Sequence, residues 1–194
     1  MSGHPHPSFD RLVQEYPSPS KWGPGSVKRL IGGGADDTRA TTPAGQWLGG
    51  ENGDTCALRM SRALNLADIH LPSHFHGMRT VTGGDGFSYA FAVEELHTWL
   101  KFWFGPPDIM VKGKPVKRDA FSGKKGIILF DIVFGLNDDG RTRALGHADL
   151  WDGETFFNEI EGHSVRNDPA RDYFSRADAV SLWICQGTTM LPRS

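Results

Sequence analysis

The run Gly126-Ile-Ile-Leu-Phe-Asp-Ile-Val-Phe134 constrains the fold more than any other part of this chain. Its β-branched and aromatic residues favour extended backbone, and an apolar run of that length predicts a central strand. Asn137-Asp-Asp-Gly140 supplies turn chemistry after it. Leu145 to Trp151 and Thr155 to Ile160 read as two further strands joined at Asp152-Gly-Glu154, and Ala179 to Cys185 as a last one. The first half has the other period. From Cys56 to Leu66, the residues Ala57, Met60, Ala63 and Leu64 recur at the spacing of a half-buried helix, with Asp54 or Thr55 as N-cap. Phe91 to Phe104 places Ala92, Leu96, Trp99, Leu100 and Trp103 on one helical face and stops at Gly105-Pro-Pro107. Shorter helical pieces are expected from Phe9 to Tyr16, halted by Pro17 and Pro19, and from Val27 to Ile31, ended by Gly32-Gly-Gly34. Ala35 to Thr55 reads as a glycine- and Asp-rich surface approach, and Ile69 to Gly86 as loop. Helices first and an antiparallel sheet afterwards define an α+β fold. A chain of 194 residues is expected to form one domain, 1–194, with 1–8 as a flexible N-terminal extension.

Composition narrows the function. A formal net charge of -2 with short, acid-flanked basic clusters gives no footprint for nucleic acid. No apolar run approaches the roughly 20 residues that span a bilayer, so no membrane insertion is expected, and the N-terminus carries no apolar signal segment. Two cysteines, Cys56 and Cys185, allow at most one bridge; two free thiols in different roles are expected. Cys185 lies in the apolar final strand and reads as structural and dispensable.

Cys56 carries the chemistry. A helix N-terminus stabilises a thiolate, the attacking form of cysteine, and its exposed N–H groups can also stabilise an oxyanion. Among eight histidines, His147 is the candidate base, because it sits in a strand directly after Gly146, whose missing side chain lets another group approach closely. If Gly153 and Glu154 form a two-residue turn, Asp152 pairs with Thr155 and Asn158 falls opposite Asp149. Alternation then puts His147, Asp149 and Asn158 on one face, and either Asp149 or Asn158 could orient the imidazole. Arg59, three residues after Cys56, is expected to reach a substrate carboxylate or a surface acid. A rival site is the cluster His70, His74 and His76, with Asp68 nearby, as a metal-dependent hydrolase or binding module. A non-enzymatic interaction protein with a structural Cys56 is the other alternative. Trp99, Trp103 and Trp183 sit at core spacing and are taken as packing.

The segments Asp54-Thr-Cys-Ala-Leu-Arg-Met-Ser-Arg-Ala-Leu-Asn65, Gly123-Lys-Lys-Gly-Ile-Ile128 and Gly146-His-Ala-Asp-Leu-Trp-Asp-Gly153 together resemble the fourth family of type VI secretion amidase effectors. The resemblance spans nearly the whole chain and implies an NlpC-type, papain-like fold, with the catalytic cysteine at a helix N-terminus packed on a sheet that carries the histidine. It places the nucleophile on Cys56, the base on His147 and the third residue on Asn158, where the family more commonly has an acid; Asp149 is the fallback. An asparagine there would accept Nδ1–H without supplying charge. The implied activity is antibacterial: hydrolysis, through a thioester, of the bond between γ-D-glutamate and meso-diaminopimelate in the stem peptide of peptidoglycan. No cofactor and no metal are called for. The implied partners are the stem peptide, a cognate immunity protein and the type VI secretion apparatus. Synthesis in the cytoplasm without a signal peptide and action in the periplasm of the target cell complete the expectation.

Overall fold

The computed structural model describes residues 3–36, 55–136, 143–157 and 172–186. Five helices and six strands lie within them, in the order α1 (Phe9–Glu15), α2 (Pro24–Ile31), α3 (Cys56–Leu66), β1 (Thr80–Thr82), β2 (Ser88–Ala90), α4 (Val93–Phe104), β3 (Ile109–Lys112), β4 (Gly126–Leu136), β5 (Arg143–Trp151), α5 (Tyr173–Arg176) and β6 (Ala179–Ile184). The fold is a mixed one, with helices packed against an antiparallel sheet.

Four strands form the main sheet in the order β3-β6-β4-β5, every neighbouring pair antiparallel. The alternation along β4 explains why its sequence reads as one apolar run. Ile127 and Leu129 join a core with Ala57, Met60, Leu64, Leu96, Trp99 and Leu100 of α3 and α4. Ile128, Phe130 and Ile132 join a second core with Phe121, Trp151, Phe156 and Phe174 on the other face. Both faces of β4 are therefore covered, which removes the polar alternation of a half-exposed strand. No helix among the described residues is long and apolar enough to cross a membrane.

α3 has the expected bounds, and its buried stripe includes Ala57, Met60, Ala63 and Leu64. α2 begins earlier than expected, at Pro24, because proline has its φ preset for the first helical position and the N–H it lacks would be unpaired there. α4 begins at Val93, with Ala92 at the N-cap, and ends at Gly105, whose φ is 88°. Two corrections concern short strands. The segment expected as loop before Gly86 contains β1, which pairs with β2, and β3 follows Gly105-Pro-Pro107 where no strand was expected. The hairpin after β5 closes as predicted, with Asp152 N–H donating to the Thr155 carbonyl at 3.0 Å. Of the expected strand from Thr155 to Ile160, the described part pairs with β5 through the Trp151–Phe156 bridge and the Phe157 N–H to the Leu150 carbonyl at 3.2 Å, and 158–160 lie outside the described residues. At the N-terminus, within the segment expected as an extension, His4 stacks on Trp103 at 3.9 Å, and His6 Nδ1 lies 2.7 Å from the Ile184 carbonyl oxygen.

Candidate active site

β5 ends the strand order of the main sheet among the described residues, and α3 packs against it, with Ala57, Met60, Ala63 and Leu64 in one core with Ala148 and Leu150. His147 pairs with Phe130 across the β4–β5 ladder, and Asp149 pairs with Ile128. Gly146, just before His147, has φ of 82°, and a β-carbon there would lie 2.9 Å from Val93 Cγ1. The close approach expected at this glycine is thus that of the first residue of α4. Cys56, the first residue of α3, meets β5 with its Sγ 2.9 Å from His147 Nδ1.

The other ring nitrogen, Nε2, lies 3.3 Å from Asp149 Oδ2. A carboxylate accepts hydrogen bonds, so Nε2 carries the proton and Nδ1 of the neutral ring faces the thiol as an acceptor. This reverses the expectation that the third residue would take Nδ1–H. Asp149 is fully buried, and its charge is matched by several donors. Its Oδ1 accepts the Leu150 N–H at 2.8 Å, and the buried Tyr16 phenol donates to the carboxylate. Burial, followed by the charges of Asp149 and Cys56, pushes the Tyr16 phenol well above its usual range, with Arg59 opposing them. Tyr16 thus remains a neutral donor.

His147 is itself buried and sits among aromatic rings. Tyr173 of α5 lies 4.5 Å away between centroids, with Phe130 and Phe156 at 6.0 and 6.1 Å. Packed against these rings, the imidazole is almost wholly removed from bulk water. Asn158, the other candidate for the third position, lies outside the described residues. The sequence had no local signal for Tyr16, which follows a short helix far from Cys56 along the chain and is brought to the site only by tertiary packing.

Arg59 lies inside the protein, turned back along α3. It is buried, and its guanidinium makes contacts to the Pro17 and Trp22 carbonyls and to the Thr55 hydroxyl. Each histidine of the cluster has its own contact: His70 lies against Phe87 at 4.7 Å, His74 Nδ1 is 2.6 Å from the Ser73 carbonyl oxygen, and His76 meets the Phe75 ring in a T-shaped contact at 4.7 Å. Among the described residues, no three His, Cys, Asp or Glu side chains are grouped to hold a metal ion. Both cysteines are free, and Cys185 is buried in the core, where loss of solvation pushes its thiol up to about 12. Trp99 and Trp183 are buried in the same core, as expected for packing residues.

Comparison with known proteins follows the same segments. A sequence search of curated proteins gives no significant match. Among solved structures, the type VI effector Tae4 from Enterobacter cloacae superposes with a TM-score of 0.69 at 27% identity, covering 96% of this chain and 100% of that one. Tae4 from Salmonella typhimurium, solved in complex with the immunity protein Tai4 from Enterobacter cloacae, gives 0.68 at 27% identity over 92% of this chain and 98% of the effector. The family model for type VI secretion system amidase effector protein 4 matches residues 52–183, the stretch that carries Cys56, His147 and Asp149. The chain belongs to this family of type VI secretion amidase effectors.

Proposed function

We propose that this effector is a cysteine amidase that cuts the γ-D-glutamyl to meso-diaminopimelate bond of peptidoglycan stem peptides, with Cys56 as nucleophile, His147 as base and Asp149 as the residue that orients the imidazole. The observation that carries the reading is the chain of contacts from Cys56 Sγ through His147 Nδ1 and Nε2 to Asp149 Oδ2. His147 takes the thiol proton at Nδ1, and the thiolate attacks the γ-carbonyl carbon. N–H groups at the start of α3 stabilise the oxyanion. The imidazolium then gives its proton to the leaving amine of diaminopimelate as the C–N bond breaks, leaving a thioester. Water, deprotonated by His147, attacks the thioester and releases the γ-carboxylate and the thiol. Asp149 supports each imidazolium stage with its negative charge. Asn158 could supply orientation without that charge.

This catalytic arrangement is that of a papain-like, NlpC-type enzyme. The site of action in this reading is the periplasm of a target cell, reached through the type VI apparatus, and the producer is protected by a cognate immunity protein, as the Tae4 and Tai4 complexes suggest. Mass spectrometry of purified Gram-negative muropeptides after incubation with wild-type protein and with Cys56→Ala tests the reaction. Cleavage at the γ-D-glutamyl bond that the variant abolishes is the expected result. No cleavage by folded wild-type protein would sink the proposed bond specificity.

A further inference from the structure

The Cys-x-x-Arg spacing of α3 has no part in the steps above, although its arginine lies one turn from the nucleophile. Helical side chains lean toward the N-terminus, which brings the guanidinium of Arg59 back beside the start of α3. There Nε donates to Thr55 Oγ1 at 2.9 Å, Nη2 donates to the Trp22 carbonyl at 2.6 Å, and Nη1 donates to the Pro17 carbonyl. Pro17 and Trp22 both belong to the link between α1 and α2, and Pro17 directly follows Tyr16, whose phenol meets Asp149. One planar group therefore ties the residue before Cys56 to the residue after Tyr16.

Thr55 gives this tie a chemical consequence. A threonine at the N-cap ordinarily accepts an N–H from the second or third helical residue. Thr55 occupies the N-cap of α3 but makes no such bond, and its oxygen faces Arg59 instead. The Thr55 hydroxyl is thus engaged by Arg59 rather than by the first turn of the helix that carries Cys56. A lysine could not reproduce the arrangement, because one ammonium does not present donors in a rigid fork to three separated oxygens.

We propose that Arg59 is a positioning residue of this site, which binds Thr55, Pro17 and Trp22 together so that the start of α3 holds Cys56 toward His147 and Tyr16 is seated against Asp149. The inference rests on Cys56 as the nucleophile. Arg59 acts through Thr55 and Tyr16, without touching substrate.

The test uses the full chain carrying Arg59→Lys or Thr55→Val, with two readouts: the rate of Cys56 alkylation by iodoacetamide across pH, and kcat and KM on soluble muropeptides. Arg59→Lys is expected to lower kcat about tenfold or more with KM nearly unchanged, and to move the alkylation midpoint to higher pH, since a Cys56 displaced from His147 affects the thiolate more than ground-state binding. Thr55→Val removes only the Nε contact and is expected to move both readouts the same way by less. A purely structural arginine would lower the melting temperature while leaving kcat and the alkylation profile of folded protein unchanged, and that outcome overturns the proposal. Should Arg59→Lys not fold, Thr55→Val decides alone, and wild-type values for both readouts overturn it equally. Alkylation needs no substrate, so wild-type protein that cleaves no muropeptide but retains the Arg59-dependent profile counts against the proposed reaction and leaves this positioning role standing.

Discussion

A carboxylate with no solvent contact depends on its partners for its place in the core, and Asp149 has the Leu150 N–H, the His147 ring and the Tyr16 phenol. Asp149→Asn keeps the volume but removes the charge and lets an amide donor face Nε2, favouring the wrong tautomer. We expect kcat on muropeptides to fall by about a hundredfold or more, with little change in melting temperature. Undiminished turnover would transfer the orienting role to Asn158. Cys185 provides the contrasting case. With its thiol pushed up to about 12 by burial, it stays protonated at neutral pH, so iodoacetamide should label Cys56 alone and Cys185→Ala should retain turnover. Peptide mapping of the labelled protein checks the first expectation, and labelling of Cys185 at a similar rate contradicts it. The placement of the two thiols was legible in the sequence because Cys56 opens a strongly patterned helix and Cys185 directly follows the apolar strand β6. The meeting of Cys56 with His147 also followed from local signals, a helix start and a glycine before a strand residue. Which ring nitrogen faces the thiol depends on a side-chain rotamer, and Arg59 turns inward because of carbonyls in a distant link; neither leaves a trace in residue spacing.

Elements with a long period were read nearly to the residue, whereas those without one were missed. α3 and β6 each bury a continuous stripe or face, so burial imposes a pattern on the sequence. β1, β2 and β3 are three or four residues long, too short to alternate visibly, and exist because a neighbouring strand supplies their hydrogen bonds. The junction of β5 with α4 shows how one residue sets the placement of an element. At Gly146, φ of 82° already disfavours any side chain, and a β-carbon would press on Val93 Cγ1 at 2.9 Å. Gly146→Ala must therefore strain the backbone or push α4 away from β5, just before His147. We expect a loss of about 1–3 kcal/mol in urea denaturation, together with slower Cys56 alkylation in the folded protein as the imidazole shifts. Wild-type stability for this variant would mean that the junction has room to relax.

The stability of the whole molecule toward acid should reflect a histidine outside the site. His97 lies on α4 with its ring edge-on to Trp183 of β6 at 5.6 Å, at the contact between the helical layer and the sheet. Its Nε2 is buried and finds no hydrogen-bond partner among the described residues. Burial first, and then the charge of Lys101, push its pKa down to about 4 from an ordinary 6.5. The native ring therefore stays neutral where the unfolded chain already takes a proton. Between those two values the unfolded state binds more protons, so stability is complete above about 6.5 and drains away as pH falls toward 4, below which both states are protonated and the loss stops. Since part of the ring reaches solvent, the loss is on the order of 1–2 kcal/mol, less than the full shift would give. His97→Phe keeps a ring against Trp183 and removes the titration, so its urea midpoint should change less than that of wild type between pH 7 and pH 4.5, values chosen to bracket the upper part of the window. Parallel loss of stability in the two proteins would place the acid sensitivity elsewhere, with the Arg79–Glu95 ion pair, whose Nε and Oε1 are 2.6 Å apart, as the next group to substitute.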